Sequence, residues 1–163
     1  PRVYLATMEP YDAESRVRVA RHRALRAGKS FATVERPRDL AGLDAAPLRG
    51  SVVLLECLGT LAANQLYGPE GLIPGAYEAV LDGVLHLNAA CRELVVVSNE
   101  VFLGGADYAG DTDAYLRLLA RLNRRLAAES TRAVQVAAGL PLYRKGTPPA
   151  ELIGWQCRQI PRP

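Results

Sequence analysis

Four short runs rich in β-branched side chains constrain this chain most: VYLAT (3–7), SVVLLEC (51–57), ELVVVSN (93–99) and AVQVAAG (133–139). Continuous apolar runs of five to seven residues suit strands covered on both faces, as in a parallel sheet. Between them lie helical patterns at 12–27, roughly 60–67, 76–91 and 111–128. Parallel strands need crossovers, and helices of this length supply them, so the alternation predicts an α/β fold with a mostly parallel sheet and helices on both faces. Loops are expected at Leu66–Gly75 and Gly104–Gly110, where Gly, Pro and Asp concentrate.

At 163 residues the chain suits one domain, expected over 1–146, followed by an irregular proline-rich tail, 147–163, that docks through Ile153 and Trp155. Cys57, Cys91 and Cys157 are odd in number and widely spaced, which argues against a disulfide framework or a zinc site and for a reducing, cytoplasmic setting. No apolar run approaches the ~18 residues of a membrane span. The chain opens on Pro1 and runs almost directly into a strand, so an upstream segment is expected.

Six of the twenty Lys and Arg residues fall between Arg16 and Lys29, which points to an anionic partner although the net charge is only +3. This segment is also the first helix, with Asp12 as its N-cap, Glu14 in its first turn and Gly28 beyond its end. Gly28-Lys29-Ser30 spells the close of a phosphate-binding loop. The opening glycine is replaced by Arg23, however, and the three residues follow a helix and precede an extended-looking run, Phe31–Val34, so Gly28 reads as a helix stop.

At 100° per residue Ala13, Val17, Ala20 and Ala24 form an apolar stripe, while Arg18, His22 and Arg26 share another face. His22 is therefore expected to point away from the core. Two readings stay open: a solvated basic face with an inert imidazole, or a nucleophile for phosphorus. Guanidiniums beside an imidazole disfavour its cationic form and bind phosphate chains, which suits the second. His86, in VLHLN, has apolar neighbours and reads as structural.

Two strands end in acids, Glu56 after VVLL and Glu100 after VVVSN. A hydrophobic strand with a terminal acid is the Walker B pattern, whose carboxylate holds magnesium against nucleotide phosphates. A strand-end acid that merely caps a loop is the competing reading.

YLAT, R-V-A-R-H-R-x-x-R (18–26), TVE-x-P (33–37), VVLLEC with Asn64 downstream, VVVSNEV (95–101), LNRRLA (122–127) and AGLPLYRKG (138–146) form an ordered series. This series resembles the adenosylcobinamide kinase/adenosylcobinamide-phosphate guanylyltransferase family of cobalamin biosynthesis. The resemblance implies a P-loop, RecA-like α/β fold, ATP or GTP as phosphoryl donor to adenosylcobinamide, and transfer of GMP from GTP through a GMP-histidine intermediate. It places that histidine at His22. It further implies a nucleotide site lined by Met8, Glu9, Pro10, Arg23, Ala24, Leu25, Arg26, Glu35 and Glu56, with Mg2+ at Glu56 and with Arg18 and Glu100 nearby. A homo-oligomer, a trimer in this family, is implied as well.

Two departures accompany the resemblance. The family's opening strand and G-G-x-x-S-G-K-S loop have no counterpart after Pro1 and are expected upstream of this chain, or else lost in a relative without kinase activity. The G-x-G-I-V-P run after SNEV is replaced by residues 102–108, FLGGADY. The alternatives are a nucleic-acid-binding basic domain and an inactive corrinoid-binding relative. With only 6% aromatics and none between Asp12 and Ser30, the basic helix lacks base-stacking platforms, so no nucleic-acid partner is expected.

Overall fold

β1 (Arg2–Ala6) is the strand on which the rest is built: Val3, Tyr4 and Leu5 are all buried, so both of its faces are covered. In the computed structural model, which describes residues 1–102 and 108–150, β1 pairs in parallel with β2 (Phe31–Glu35) on one side and β3 (Val52–Glu56) on the other. β3 pairs in parallel with β6 (Glu93–Val97), which gives the sheet order β2-β1-β3-β6. The crossovers are α1 (Ala13–Arg26) after β1 and α2 (Leu58–Leu66) plus α3 (Ala76–Ala90) after β3, with two single 3₁₀ turns, Leu40–Gly42 and Ala46–Leu48, between β2 and β3. A short antiparallel pair, β4 (Tyr67–Gly68) with β5 (Gly71–Leu72), lies inside the expected 66–75 loop.

The strand residues alternate between two unlike faces. Val3, Leu5, Val53 and Leu55 point to one side and are at most 5% exposed. There they meet a core that includes Leu58, Leu61, Val80, Val84 and Leu87 from α2 and α3. α3 approaches the turn at Leu40 so closely that a Cβ on Gly83 would lie 2.7 Å from Leu40 Cβ. The opposite face carries Tyr4, Ala6, Glu56 and Val97, and it is less completely covered. α1 belongs to that side, and none of its residues is buried.

The expected apolar stripe of α1 is corrected here. Val17 is 69% exposed, and Ala13, Ala20 and Ala24 are exposed too. The half-buried positions are Ser15, Val19, His22 and Arg26, at i, i+4, i+7 and i+11. The helix therefore turns its histidine inward. The physical reason is the surface it faces: the strands below it carry carboxylates at their ends and a tyrosine in the middle of β1, which arginine complements and alanine does not. The reading of Gly28 as a helix stop agrees with its left-handed φ of 79° just past the Ala27 cap.

The three runs at 3–7, 51–57 and 93–99 supply parallel strands, and the run at 31–34 joins them as β2. The run at 133–139 does not. It forms β7 (Ala133–Ala137), paired antiparallel with β8 (Leu140–Lys145). Ala138 and Gly139, at φ 50° and 79°, make the two-residue left-handed turn that closes tight hairpins. α4 (Asp111–Glu129) precedes this hairpin. The chain divides into two compact units at Leu122/Asn123, within α4. The first holds the sheet; the second holds the end of α4 and the hairpin, where Lys145 Nζ donates to Ala127 O and Ala128 O at 3.2 and 2.6 Å. The expected tail contacts of Ile153 and Trp155, Cys157, and most of the 104–110 loop fall outside the described residues. Among the described residues, no helix is long and apolar enough to cross a membrane.

Candidate functional site

The sheet register decides which acids meet. Ala6 pairs with Glu35 on one side and with Glu56 on the other, so a single row across the three strands reads Glu35, Ala6, Glu56. Strands two apart are separated by roughly 10 Å, and the small Ala6 between them leaves a trough. Because the strands are parallel, this row lies at their carboxyl ends, where open α/β sheets bind ligands.

Loop geometry just beyond the row is fixed by buried and half-buried hydrogen bonds. Thr7, fully buried, receives the Cys57 N–H at its Oγ1 (2.8 Å) and donates to Cys57 O (2.9 Å). Asn64, 6% exposed, donates from Nδ2 to Thr7 O and to Pro37 O, both at 2.9 Å. One α2 side chain thus ties together the loops that follow β1 and β2.

Over this edge lies a cleft of ≈ 310 Å³. Its α1 wall is Arg18, His22, Arg23 and Arg26, and its sheet wall includes Glu35 and Glu56. Met8 and Pro10 complete the set of expected residues that line it. Glu9, Ala24, Leu25 and Glu100 are not among the lining residues. Glu9 accepts from Tyr11 and lies 3.8 Å from Arg38, while Leu25 is 57% exposed.

Charges in the cleft are already partnered in part. Arg23 forms an ion pair with Glu35, both half exposed. Such an exposed pair contributes at most about 1 kcal/mol, so an incoming polyanion can compete for the arginine. Glu56 accepts from the Tyr4 hydroxyl at Oε2 (2.9 Å), and its other oxygen makes no hydrogen bond among the described residues. The Arg26 guanidinium lies 3.6 Å from the Tyr4 ring centroid. Its Nε is the one buried side-chain nitrogen or oxygen, among the described residues, without a hydrogen-bond partner. An unpartnered guanidinium N–H on a cleft-lining arginine suits an oxyanion.

Cleft residues that the sequence reading did not single out are Tyr4, Ala6 and Val19, and on the far side Cys57, Thr60, Val97 and Asn99. Tyr4 and Ala6 share the face of Glu56 by the two-residue period of a strand, a signal that becomes usable only once the register is known. Cys57 caps α2, receiving the Thr60 N–H at Sγ (3.4 Å), and its thiol donates to Asn99 Oδ1 at 3.4 Å. Asn99 sits so close to α2 that a Cβ on Gly59 would lie 2.5 Å from Oδ1, which explains the glycine there.

No group of three or more His, Cys, Asp or Glu side chains converges on a point among the described residues. Mg2+ needs no such cage: it takes one or two carboxylates and completes its shell with phosphate and water. The free oxygen of Glu56 is the donor that fits. A more open hollow of ≈ 540 Å³ lies beside His86 and Arg49. It brings no carboxylate, and the His86 ring nitrogen is engaged with Leu43 O at 3.1 Å, in keeping with the structural reading of that residue.

A family model described as cobinamide kinase / cobinamide phosphate guanyltransferase matches residues 1–143. The chain belongs to this family. It is 32% identical to the bifunctional adenosylcobalamin biosynthesis protein CobP of Pseudomonas aeruginosa over 89% of this chain and 83% of the relative. It is 31% identical to the corresponding protein CobU of Escherichia coli over 85% and 82%, and 30% identical to CobU of Salmonella typhimurium over the same shares. The matched span takes in all of the cleft residues named above.

Proposed function

We propose that this chain transfers GMP from GTP to adenosylcobinamide phosphate through a covalent GMP-His22 intermediate, and that it belongs to a kinase/guanylyltransferase that first phosphorylates adenosylcobinamide. The observation that carries the reading is the cleft lined by His22 together with Arg18, Arg23, Arg26 and Glu56. Family membership supplies the substrates.

In the first transfer step an imidazole nitrogen of His22 attacks the α-phosphorus of GTP, the bond to the bridging β-phosphate oxygen breaks, and pyrophosphate leaves. In the second, a phosphate oxygen of adenosylcobinamide phosphate attacks the same phosphorus, the P–N bond breaks, and His22 is regenerated with adenosyl-GDP-cobinamide as product. The arginines bind and polarise the phosphate oxygens as charge builds at phosphorus. Mg2+, held at Glu56, would neutralise phosphate charge and help orient the chain of phosphates. For the kinase step the described residues offer no glycine-rich phosphate loop, so this half rests on family membership alone. The cytoplasmic setting and the homo-oligomeric state expected from the sequence belong to the same reading.

The test is incubation with α-labelled GTP and magnesium. The expected product is an acid-labile, alkali-stable protein adduct, absent in His22→Asn and discharged by adenosylcobinamide phosphate. An unlabelled wild-type chain that still binds GTP would overturn the transfer mechanism. Phosphoryl transfer from γ-labelled ATP or GTP to adenosylcobinamide tests the kinase half separately.

A further inference from the structure

Tyr4 is a buried side chain in the cleft to which the reaction above assigns no role. It is 4% exposed, in the middle of β1. A core tyrosine needs a packed ring and one satisfied hydroxyl, and Tyr4 packs edge-on against Phe31 with centroids 6.3 Å apart. What exceeds that need is the choice of its other partners. Its hydroxyl donates to Glu56 at 2.9 Å, and its ring carries the Arg26 guanidinium at 3.6 Å. Both partners line the cleft.

Arg26 and Glu56, both in contact with Tyr4, form no ion pair with each other among the described residues. A direct pair would neutralise both groups and engage polar atoms that now have no hydrogen-bond partner among the described residues, Glu56 Oε1 and Arg26 Nε. An aromatic face attracts a guanidinium without using its N–H donors, and a phenol engages one carboxylate oxygen without neutralising the charge.

We propose that Tyr4 is a positioning residue for nucleotidyl transfer. Its hydroxyl holds the Glu56 carboxylate in one orientation, its ring holds the Arg26 guanidinium in another, and acid and cation are thereby kept apart and presented to the phosphates of a nucleoside triphosphate. The proposal rests on the transfer reading given above.

The hydroxyl and the ring are separable. Tyr4→Phe keeps the ring and removes the hydroxyl, whereas Tyr4→Leu removes both. Two quantities are read: the dissociation constant of a fluorescent GTP analogue and the single-turnover rate of adduct formation. Tyr4→Phe is expected to slow adduct formation about tenfold with the dissociation constant within about twofold of wild type. Tyr4→Leu is expected to weaken nucleotide binding about tenfold more than Tyr4→Phe does, so that phenylalanine rescues the ring-dependent part.

In a Glu56→Gln background the tenfold effect of Tyr4→Phe on rate should shrink below about twofold, because its target is gone. A wild-type rate in Tyr4→Phe, or an undiminished effect in the Glu56→Gln background, overturns the hydroxyl's role. Equal dissociation constants for the Phe and Leu variants overturn the ring's role. If Tyr4→Leu does not fold, Arg26→Ala in the Tyr4 and Tyr4→Phe backgrounds decides the ring arm, since its binding loss must be the same in both. A wild-type chain that binds the analogue but takes no label overturns the transfer reading. The difference in binding between the Phe and Leu variants then decides Tyr4 on its own.

Discussion

His22 and Arg26 are two of the four half-buried residues of a helix that otherwise faces water, and Arg26 is held there by a partner on β1, Tyr4. Burial, together with the Glu56 carboxylate that accepts its hydrogen bond, pushes the Tyr4 hydroxyl up to about 12, against a smaller opposing influence from Arg26. An unfolded tyrosine ionises near 10, so between pH 10 and 12 the unfolded chain releases a proton that the folded chain retains. Stability from this group is complete below pH 10 and is lost as pH rises through that window. The urea midpoint should fall from pH 10 to 12, and fall less in Tyr4→Phe. Arg26 offers a second check at this scale. A lysine lacks the planar face that stacks on a ring and the fork that serves phosphate, so Arg26→Lys should weaken GTP binding about tenfold by fluorescence titration, with the melting temperature little changed.

Among the elements, α1 depends on its ends more than on packing, since none of its residues is fully buried. At its start Asp12 and Ser15 form a capping box, with the Ser15 N–H donating to Asp12 Oδ1 at 2.7 Å. Those hydrogen bonds hold the Asp12 carboxyl below its ordinary value of 3.8. A depressed carboxylate stabilises above that value, and its contribution is lost as pH falls through the folded value. Asp12→Ala should speed amide exchange in the first turn of α1 about fivefold at neutral pH while leaving β1 and β3 protected. α3 is held differently, by close packing. Gly83→Ala would drive a methyl to 2.7 Å from Leu40 Cβ, an overpacking that costs about 1–3 kcal/mol in urea unfolding. Helix existence and approximate ends were legible in the sequence because caps and glycine stops are local signals. The facing of α1 was not. A stripe of Ala and Val on the helix predicted burial, yet the surface opposite it is polar, and only the partner surface determines which face turns inward.

At the scale of the whole sheet-bearing unit, one side chain joins three segments distant in sequence. Asn64 of α2 bonds the carbonyls of Thr7 and Pro37. Asn64→Ala leaves the buried Thr7 carbonyl and the half-buried Pro37 carbonyl without that donor, and urea denaturation should show a loss of about 1–3 kcal/mol together with weaker GTP binding. Much of the plan could be read from the chain alone: strand-forming runs at 3–7, 51–57 and 93–99, helices between them, a basic helix carrying His22, acids at strand ends, and an ordered set of motifs sufficient for the family. These are properties of short windows, where hydrophobic period, capping chemistry and residue spacing are written directly in the letters. The run at 133–139 looked like the others and yet became a hairpin strand, because pairing depends on the turn at Ala138-Gly139 and on which partner lies within reach. Tertiary structure alone decided the rest. The register Glu35–Ala6–Glu56, the inward turn of His22, and the placing of Tyr4 between an acid and an arginine all arise from contacts between segments 22 to 52 positions apart. No local pattern in sequence encodes the relative alignment of such segments; packing of the shared core does.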